Sequence, residues 1–332
     1  MATLKDVAAL AGISYTTVSH VLNNTRPVSE PVRRKVEAAI EQLAYVPSGV
    51  ARSLKARATA TIGLLLPNSI NPYFAELARG IGDHCGRNGY CVILCNADDD
   101  AAKQRHYLRM LLEKRIDGLL LASAGPSQGT FDALPIPLVV LDREAPALAS
   151  DVVCIDHEQG AWLATQHLLG LGHRRIACIT GPANVNVANL RAAGYRRAMA
   201  DYGCAVVPGW QVNSDFTSDG GYRAAGHLFG SVQPSAIFAA NDMLGVGVLR
   251  AAAERGIRVP QQLSVIGFDD IELCRYVYPA LSSVGQSIRQ LGERAAAQLL
   301  GRISGEQAGP PQRLVVAPAL IARESTAALA QP

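Results

Sequence analysis

The 332-residue sequence is poor in aromatics, at 5%. It has no uninterrupted apolar run of the roughly 18 residues a membrane helix needs. Its start, MATLKDVAAL, lacks the apolar core of a secretory signal. These absences point to a cytoplasmic protein with no membrane partner. Catalytic signatures are missing as well. There is no G-x-x-x-x-G-K-[ST], no G-x-S-x-G and no H-E-x-x-H, and the seven histidines are dispersed. Gly245-Val246-Gly247 lacks the third glycine of a dinucleotide loop and falls within a helical stretch. The expectation is a protein that is not an enzyme and carries no cofactor. The seven cysteines are scattered, without C-x-x-C. Cys91 and Cys95 share one face of a candidate strand, just after His84 and Cys85. In a reducing compartment such thiols are most simply small buried apolar side chains, so no metal site is expected.

What is present is uneven in charge. Residues 1–58 carry eight Lys/Arg against four Asp/Glu, a balance of +4, while the remaining 23 bases face 24 acids. A basic segment on a neutral body is the pattern of a nucleic-acid headpiece.

Local signals in that segment agree. Thr3 caps a helix over Lys5–Ala11, with Asp6 as the reciprocal partner of a capping box. Gly12 supplies the left-handed exit. Ser14 caps a second helix over Tyr15–Leu22, closed by Asn23-Asn24, and a third follows Ser29 with Val32, Val36, Ile40 and Leu43 at helical spacing. Two short helices joined by a glycine turn and buttressed by a third make a helix-turn-helix. The outer face of the second helix presents Tyr15, Thr16, Thr17, Ser19, His20 and Asn23, all capable of hydrogen bonding. In this motif that face meets base edges in the major groove; an ordinary solvated face would explain the polarity but not the agreement of charge, caps and turn. Thr3, Ser14 and Arg26 complete the candidate DNA-facing set. Residues 48–55 then read as a short hinge helix, marginal alone in water. Leu54 beside Lys55, with Arg52 nearby, suits insertion into a minor groove, though a tether with one exposed leucine has the same composition.

TLKDVAALAGISYTTVSHVLN followed by VPSGVARSLK resembles the headpiece of the lactose-repressor (LacI) family of bacterial regulators, in particular its purine- and ribose-repressor branch. The resemblance implies that Tyr15, Thr16 and His20 read bases in each half of a near-palindromic operator. It also implies that Ala51, Leu54 and Lys55 of two subunits meet the duplex at its centre. Gly49 departs from the alanine expected there, which loosens a helix by up to about 1 kcal/mol.

From Thr61 onward apolar strands alternate with helices, at 61–67, 90–97, 118–123, 138–142, 175–182, 236–242 and 263–270. Near-continuous apolar strands separated by helices imply parallel sheets covered on both faces. The expected fold is therefore an all-α headpiece plus an α/β body of two doubly wound subdomains. One spans about 61–160 with a return over 291–320, the other about 161–290, within an effector-binding and dimerisation domain over 59–326. In such sheets ligands bind outside the carboxyl ends of the strands. Asn71, Asp142-Arg143, Asn241-Asp242 and Asp269-Asp270 gather there, positions that helix capping alone would also explain one at a time.

The resemblance extends over about residues 2–326, and the body resembles periplasmic sugar-binding proteins of the ribose-binding type. Motif by motif, it implies a ligand set. NPYF gives Asn71, Tyr73 and Phe74, and LDR gives Asp142 and Arg143. LRAAGY gives Arg191, SDF gives Phe216, AAND gives Asn241, GFDD gives Asp269, and SVGQ gives Gln286. The chemistry suits a sugar: aromatics cover C–H faces, carboxylates accept from hydroxyls and arginine presents a fixed fork of donors. Arg143 stands where the purine-repressor branch would carry a tryptophan, which favours a pentose, D-ribose first. A purine corepressor or another pentose or hexose are the alternatives. A homodimer follows from a two-fold operator, and no leucine heptad closes the chain to build a tetramer.

Overall fold

The computed structural model describes residues 2–23, 25–46, 58–123, 131, 134–143 and 150–329. The hinge at 48–55, with Ala51, Leu54 and Lys55, lies outside the described residues. The chain divides into two compact units, Met1–Thr59 and Ala60–Pro332.

The first unit holds α1 (Leu4–Ala11), α2 (Tyr15–Asn23) and α3 (Glu30–Gln42). Its capping box forms: Thr3 Oγ1 accepts from the Asp6 amide at 3.4 Å, and Asp6 Oδ2 accepts from the Thr3 amide at 2.7 Å. Gly12 exits α1 at φ +65°, where a side chain would strain the backbone. Ser14 Oγ accepts from the Thr17 amide at 3.1 Å. Ser29 occupies the cap position of α3 but its side chain makes no cap bond. Val7, Val18 and Val36 are fully buried between the helices, each stabilising the unit by roughly 1.5 kcal/mol or more.

The second unit opens with β1 (Thr61–Leu66), α4 (Pro72–Arg87), β2 (Cys91–Asn96), α5 (Ala101–Glu113), β3 (Gly118–Leu121), β4 (Leu138–Leu141) and β5 (Asp151–Ile155). It continues with α6 (His157–Gly170), β6 (Ile176–Thr180), α7 (Asn186–Asp201), β7 (Gln211–Asn213), α8 (Ser218–Ser231), β8 (Ala236–Ala239), α9 (Asp242–Glu254) and β9 (Ser264–Ile266). β10 (Ser283–Gly285), α10 (Ile288–Ser304), β11 (Arg313–Val316) and β12 (Ala319–Ile321) close the fold. One sheet runs β11-β5-β4-β3-β1-β2 and a second β7-β6-β8-β9, with every neighbouring pair parallel. This is the expected pair of doubly wound layers. α10 returns to the first layer against α4, close enough that a Cβ on Gly80 would lie 2.1 Å from the Arg289 carbonyl oxygen.

Three differences from the sequence reading have physical causes. β2 was expected to be a buried strand, but it is the edge of its sheet and half-exposed, with Leu94 47% accessible. β5 and β7 were not anticipated; β7 is three residues long and bears no apolar run. β10 and β12 form an antiparallel pair beside the second sheet, invisible to a pattern of parallel units. No helix among the described residues is long and apolar enough to cross a membrane.

Candidate functional site

On the first unit, Tyr15, Thr16, Ser14 and Asn23 are exposed and Thr17, Ser19 and His20 half-exposed, while Val18 and Val21 turn inward. Thr3 and Arg26 are exposed as well. Two of these side chains are held from within. His20 Nδ1 lies 2.8 Å from Thr25 Oγ1, and Asn23 Nδ2 donates to the Ser19 carbonyl at 2.8 Å. Thr25 was not singled out by sequence; its hydroxyl engages Nδ1 of the His20 ring.

In the second unit, nine of the ten residues proposed for a ligand line one cavity, joined by Val187: Asn71, Tyr73, Phe74, Asp142, Arg143, Arg191, Phe216, Asn241 and Asp269. Gln286 is not among them; it is half-buried where the chain leaves β10. The placement follows from strand ends. Asn71 caps α4, its Oδ1 accepting from the Tyr73 amide at 3.0 Å, which turns Tyr73 and Phe74 into the cleft, edge to face at 5.1 Å. Asp142 and Arg143 leave β4; Phe216 follows β7; Asn241 and Asp269 follow β8 and β9. Asp142, Phe216 and Asp269 have φ of +52°, +64° and +111°, left-handed backbone that side chains adopt only under constraint and that concentrates at functional sites.

The side chains are already engaged with one another. Arg143 donates to Asp99 at 2.5 Å, and its guanidinium lies 5.3 Å from the Phe74 ring and 5.7 Å from the Phe216 ring. Arg191 donates to Asp269 at 2.9 Å, to the Ala240 carbonyl at 2.5 Å and to His157 Nδ1 at 3.3 Å, stacked 3.8 Å over Phe268. Asn241 caps α9 through Oδ1 and donates to the Phe216 carbonyl at 3.0 Å, so here the capping role anticipated as an alternative is real. The space left among these residues is about 20 Å³. That is on the order of one water, far below the roughly 300 Å³ at which ligand pockets begin. The cleft is shut on its own side chains.

Electrostatics separate the carboxylates. Burial raises the Asp142 carboxyl, but the neighbouring His157 and Arg191 outweigh it and hold Asp142 below its ordinary value. Burial likewise raises Asp269, offset only in part by Arg191, and the Asp142 charge adds to the rise. Asp242, behind them, is raised by burial and by the Asp269 charge. The Tyr73 phenol is raised by burial and by Asp142 and Asp269. Among the buried polar atoms that complete no well-aligned hydrogen bond are Tyr73 Oη, Asp142 Oδ1, His157 Nε2 and Gln286 Oε1. Asp142 Oδ1 and His157 Nε2 lie only 2.9 Å apart. Sequence reading missed His157 and Asp99, because a polar residue at a helix start or in the run Asp98-Asp99-Asp100 carries no sign of its distant partner.

A larger pocket of about 330 Å³ lies at the far edge of the first sheet around Asp151 and Arg302. Its two charged groups are spent on each other: Arg302 donates to both Asp151 oxygens at 2.7 and 2.8 Å, and Gln298 and the Gln312 amide complete the Asp151 set. Among the described residues, no group of three or more His, Cys, Asp or Glu is placed to hold a metal ion.

Residues 3–48 match the family "Bacterial regulatory proteins, lacI family", and residues 165–326 match "Periplasmic binding protein-like domain". The chain is 43% identical over 330 residues to the ribose operon repressor of Escherichia coli K12, covering 98% of this chain and 100% of that one. It is 41% identical over 308 residues to the repressor PurR of Photobacterium profundum, covering 91% and 92%. Among solved structures, the lac repressor dimer bound to operator and the anti-inducer ONPF superposes with a TM-score of 0.88 at 28% identity, over 98% of this chain and 99% of that one. A LacI-family regulator from Enterococcus faecium with bound ribose gives 0.75 at 32% identity, over 81% and 100%.

Proposed function

The chain belongs to the lacI family of bacterial regulatory proteins and is a DNA-binding transcriptional repressor, and from that premise we propose that a small sugar, D-ribose first, controls it from the cleft of the second unit. Two copies read a near-palindromic operator through α2, with Tyr15, Thr16 and His20 at base edges. The sugar lies among Asn71, Tyr73, Phe74, Asp142, Arg143, Arg191, Phe216, Asn241 and Asp269, with Gln286 at the rim. Its binding weakens the hold on DNA through the segment at 48–55.

One observation carries the effector reading: buried polar groups converge between two aromatic faces and are incompletely paired. Each unpaired buried polar atom costs roughly 1–3 kcal/mol. A ring of hydroxyls, each both donor and acceptor, meets that need at Tyr73 Oη, while Phe74 and Phe216 cover C–H faces. Nearly filled as it is, the cleft must part before a sugar enters, so two conformations exist for an effector to choose between. The shift in operator affinity then equals the sugar's differential affinity for the two.

A purine reading is kept alive by the similarity to PurR. Against it, Arg143 lines the cleft where the resemblance to the purine-repressor branch implies a tryptophan. A thermal-shift panel of ribose, other pentoses, hexoses, hypoxanthine and guanine separates the two. Ribose at about 100 times its Kd adds about 2.7 kcal/mol of stability. Stabilisation by hypoxanthine or guanine with none from any sugar overturns the proposal.

A further inference from the structure

His157 is the first residue of α6 and 3% exposed. Its two ring nitrogens face opposite subdomains. Nδ1 receives Nε of Arg191, on α7 against the second sheet, at 3.3 Å. Nε2 lies 2.9 Å from Oδ1 of Asp142, at the end of β4 in the first sheet. Arginine Nε carries a hydrogen and has no acceptor capacity. Nδ1 is therefore the acceptor, and the ring hydrogen belongs on Nε2, toward the carboxylate, an assignment that follows from the partners. Phe268 backs both groups, 3.8 Å beneath the Arg191 guanidinium and 5.9 Å from the imidazole. The ring cannot turn over without giving up one partner or the other.

Resting on the sugar reading above, we propose that His157 is the positioning residue of the effector site, holding Asp142 of one subdomain against Arg191 of the other through a single ring tautomer. The imidazole need not touch the sugar. It occupies one carboxylate oxygen of Asp142 and leaves the other for hydroxyls, and it takes Nε of Arg191 while two of the five guanidinium hydrogens stay uncommitted. The contact with Asp142 is close but not aligned in the shut cleft. A small relative movement of the subdomains makes or breaks it, so the strut senses the same movement that admits the effector.

Two amide variants divide the strut. His157→Gln sets an amide near the place of Nε2 and keeps a donor for Asp142; His157→Asn sets one near Nδ1 and keeps only the acceptor for Arg191. Full-length chains are titrated with D-ribose by calorimetry. The glutamine variant is expected to bind within about threefold of wild type and the asparagine variant on the order of tenfold or more weaker. ¹⁵N imidazole spectra of the free wild-type chain should show Nδ1 bare and Nε2 protonated. Equal ribose affinity in all three chains overturns the proposal, and so does equal weakening in both variants, which marks a merely structural side chain. The two readings fail separately. Wild type that binds no ribose but shows the assigned tautomer removes the sugar and leaves the strut. Ribose binding with the opposite tautomer removes the strut and leaves the sugar.

Discussion

The two candidate recognition surfaces are built on opposite physical plans. On α2 the candidate contact side chains are exposed or half-exposed; two of them are steadied by near neighbours, His20 by Thr25 and Asn23 by Ser19. Their unused donors and acceptors are hydrated until DNA replaces the water. In the cleft, Asp142, Arg143, Arg191, Asn241 and Asp269 are all less than 10% exposed. Each is engaged within the protein, Arg191 with Asp269, Arg143 with Asp99 and Asn241 with backbone, and Asp142 and Asp269 sit on left-handed backbone. A site of the first kind depends on long-range charge and on a few direct contacts. A site of the second kind depends on desolvation and on partners that must exchange, so it tolerates little change and rejects most ligands.

Salt separates the plans most widely. Raising it from about 50 to 200 mM should cost operator affinity a factor on the order of 10³, because phosphate contacts release counterions. D-ribose is neutral and the site proposed for it is buried, so its affinity should stay flat. Filter binding and calorimetry on the same preparation test this. A flat operator curve would break the comparison.

Arg191→Ala comes next. The Arg191 and Asp269 side chains are 4% and 6% exposed, and removing one partner of a buried pair costs about 3–5 kcal/mol. Urea unfolding of the second unit should show that loss, together with loss of ribose binding. Arg143→Ala is the contrasting variant. Its partner Asp99 is 45% exposed, so the second unit should keep its unfolding midpoint while ribose affinity falls on the order of 100-fold. Sugar-free operator affinity should hold. If Arg143→Ala unfolds the body, the residue belongs to the core and not to the ligand.

How far the sequence could see follows the same division. Capping box, glycine turn and apolar stripes are local signals, and α1 to α3 form where they stand. The strand–helix alternation was legible because buried parallel strands are continuously apolar. Strand ends located five of the nine cavity residues, Asn71, Asp142, Arg143, Asn241 and Asp269, since in this architecture loops after strands converge, whereas Tyr73, Phe74, Arg191 and Phe216 came only from the family resemblance. What stayed hidden was pairing across distance. His157 meets Asp142 and Arg191, Asp99 meets Arg143, and Asp151 meets Arg302, and no spacing rule announces such partners. β2 misled because its apolar run reads as interior, whereas its place at the end of the strand order makes it an edge.

Base reading by His20 is a smaller effect. His20→Ala should cost about 1–3 kcal/mol at one operator position and little at others. Thr25→Ala should weaken the same position by less, since it frees the ring without removing it. Equal loss on all sequences, measured with single-base operator variants, would assign His20 to the phosphate backbone instead.

The smallest expected effect is at the capping box. Hydrogen bonds from the Thr3 amide and hydroxyl hold the Asp6 carboxyl below its ordinary value. A depressed carboxylate contributes stability that is present above its unfolded value of about 3.9 and is lost as pH falls through the lower folded value. Thr3→Ala should cost about 1 kcal/mol at neutral pH, read from amide exchange of α1 in the full-length chain, and the cost should shrink as the solution is acidified. Asp6→Asn should remove the acid limb of that profile altogether. A penalty for Thr3→Ala that stays constant down to the lowest pH would show that the hydroxyl cap alone starts the helix and that the ionised carboxylate adds nothing to it.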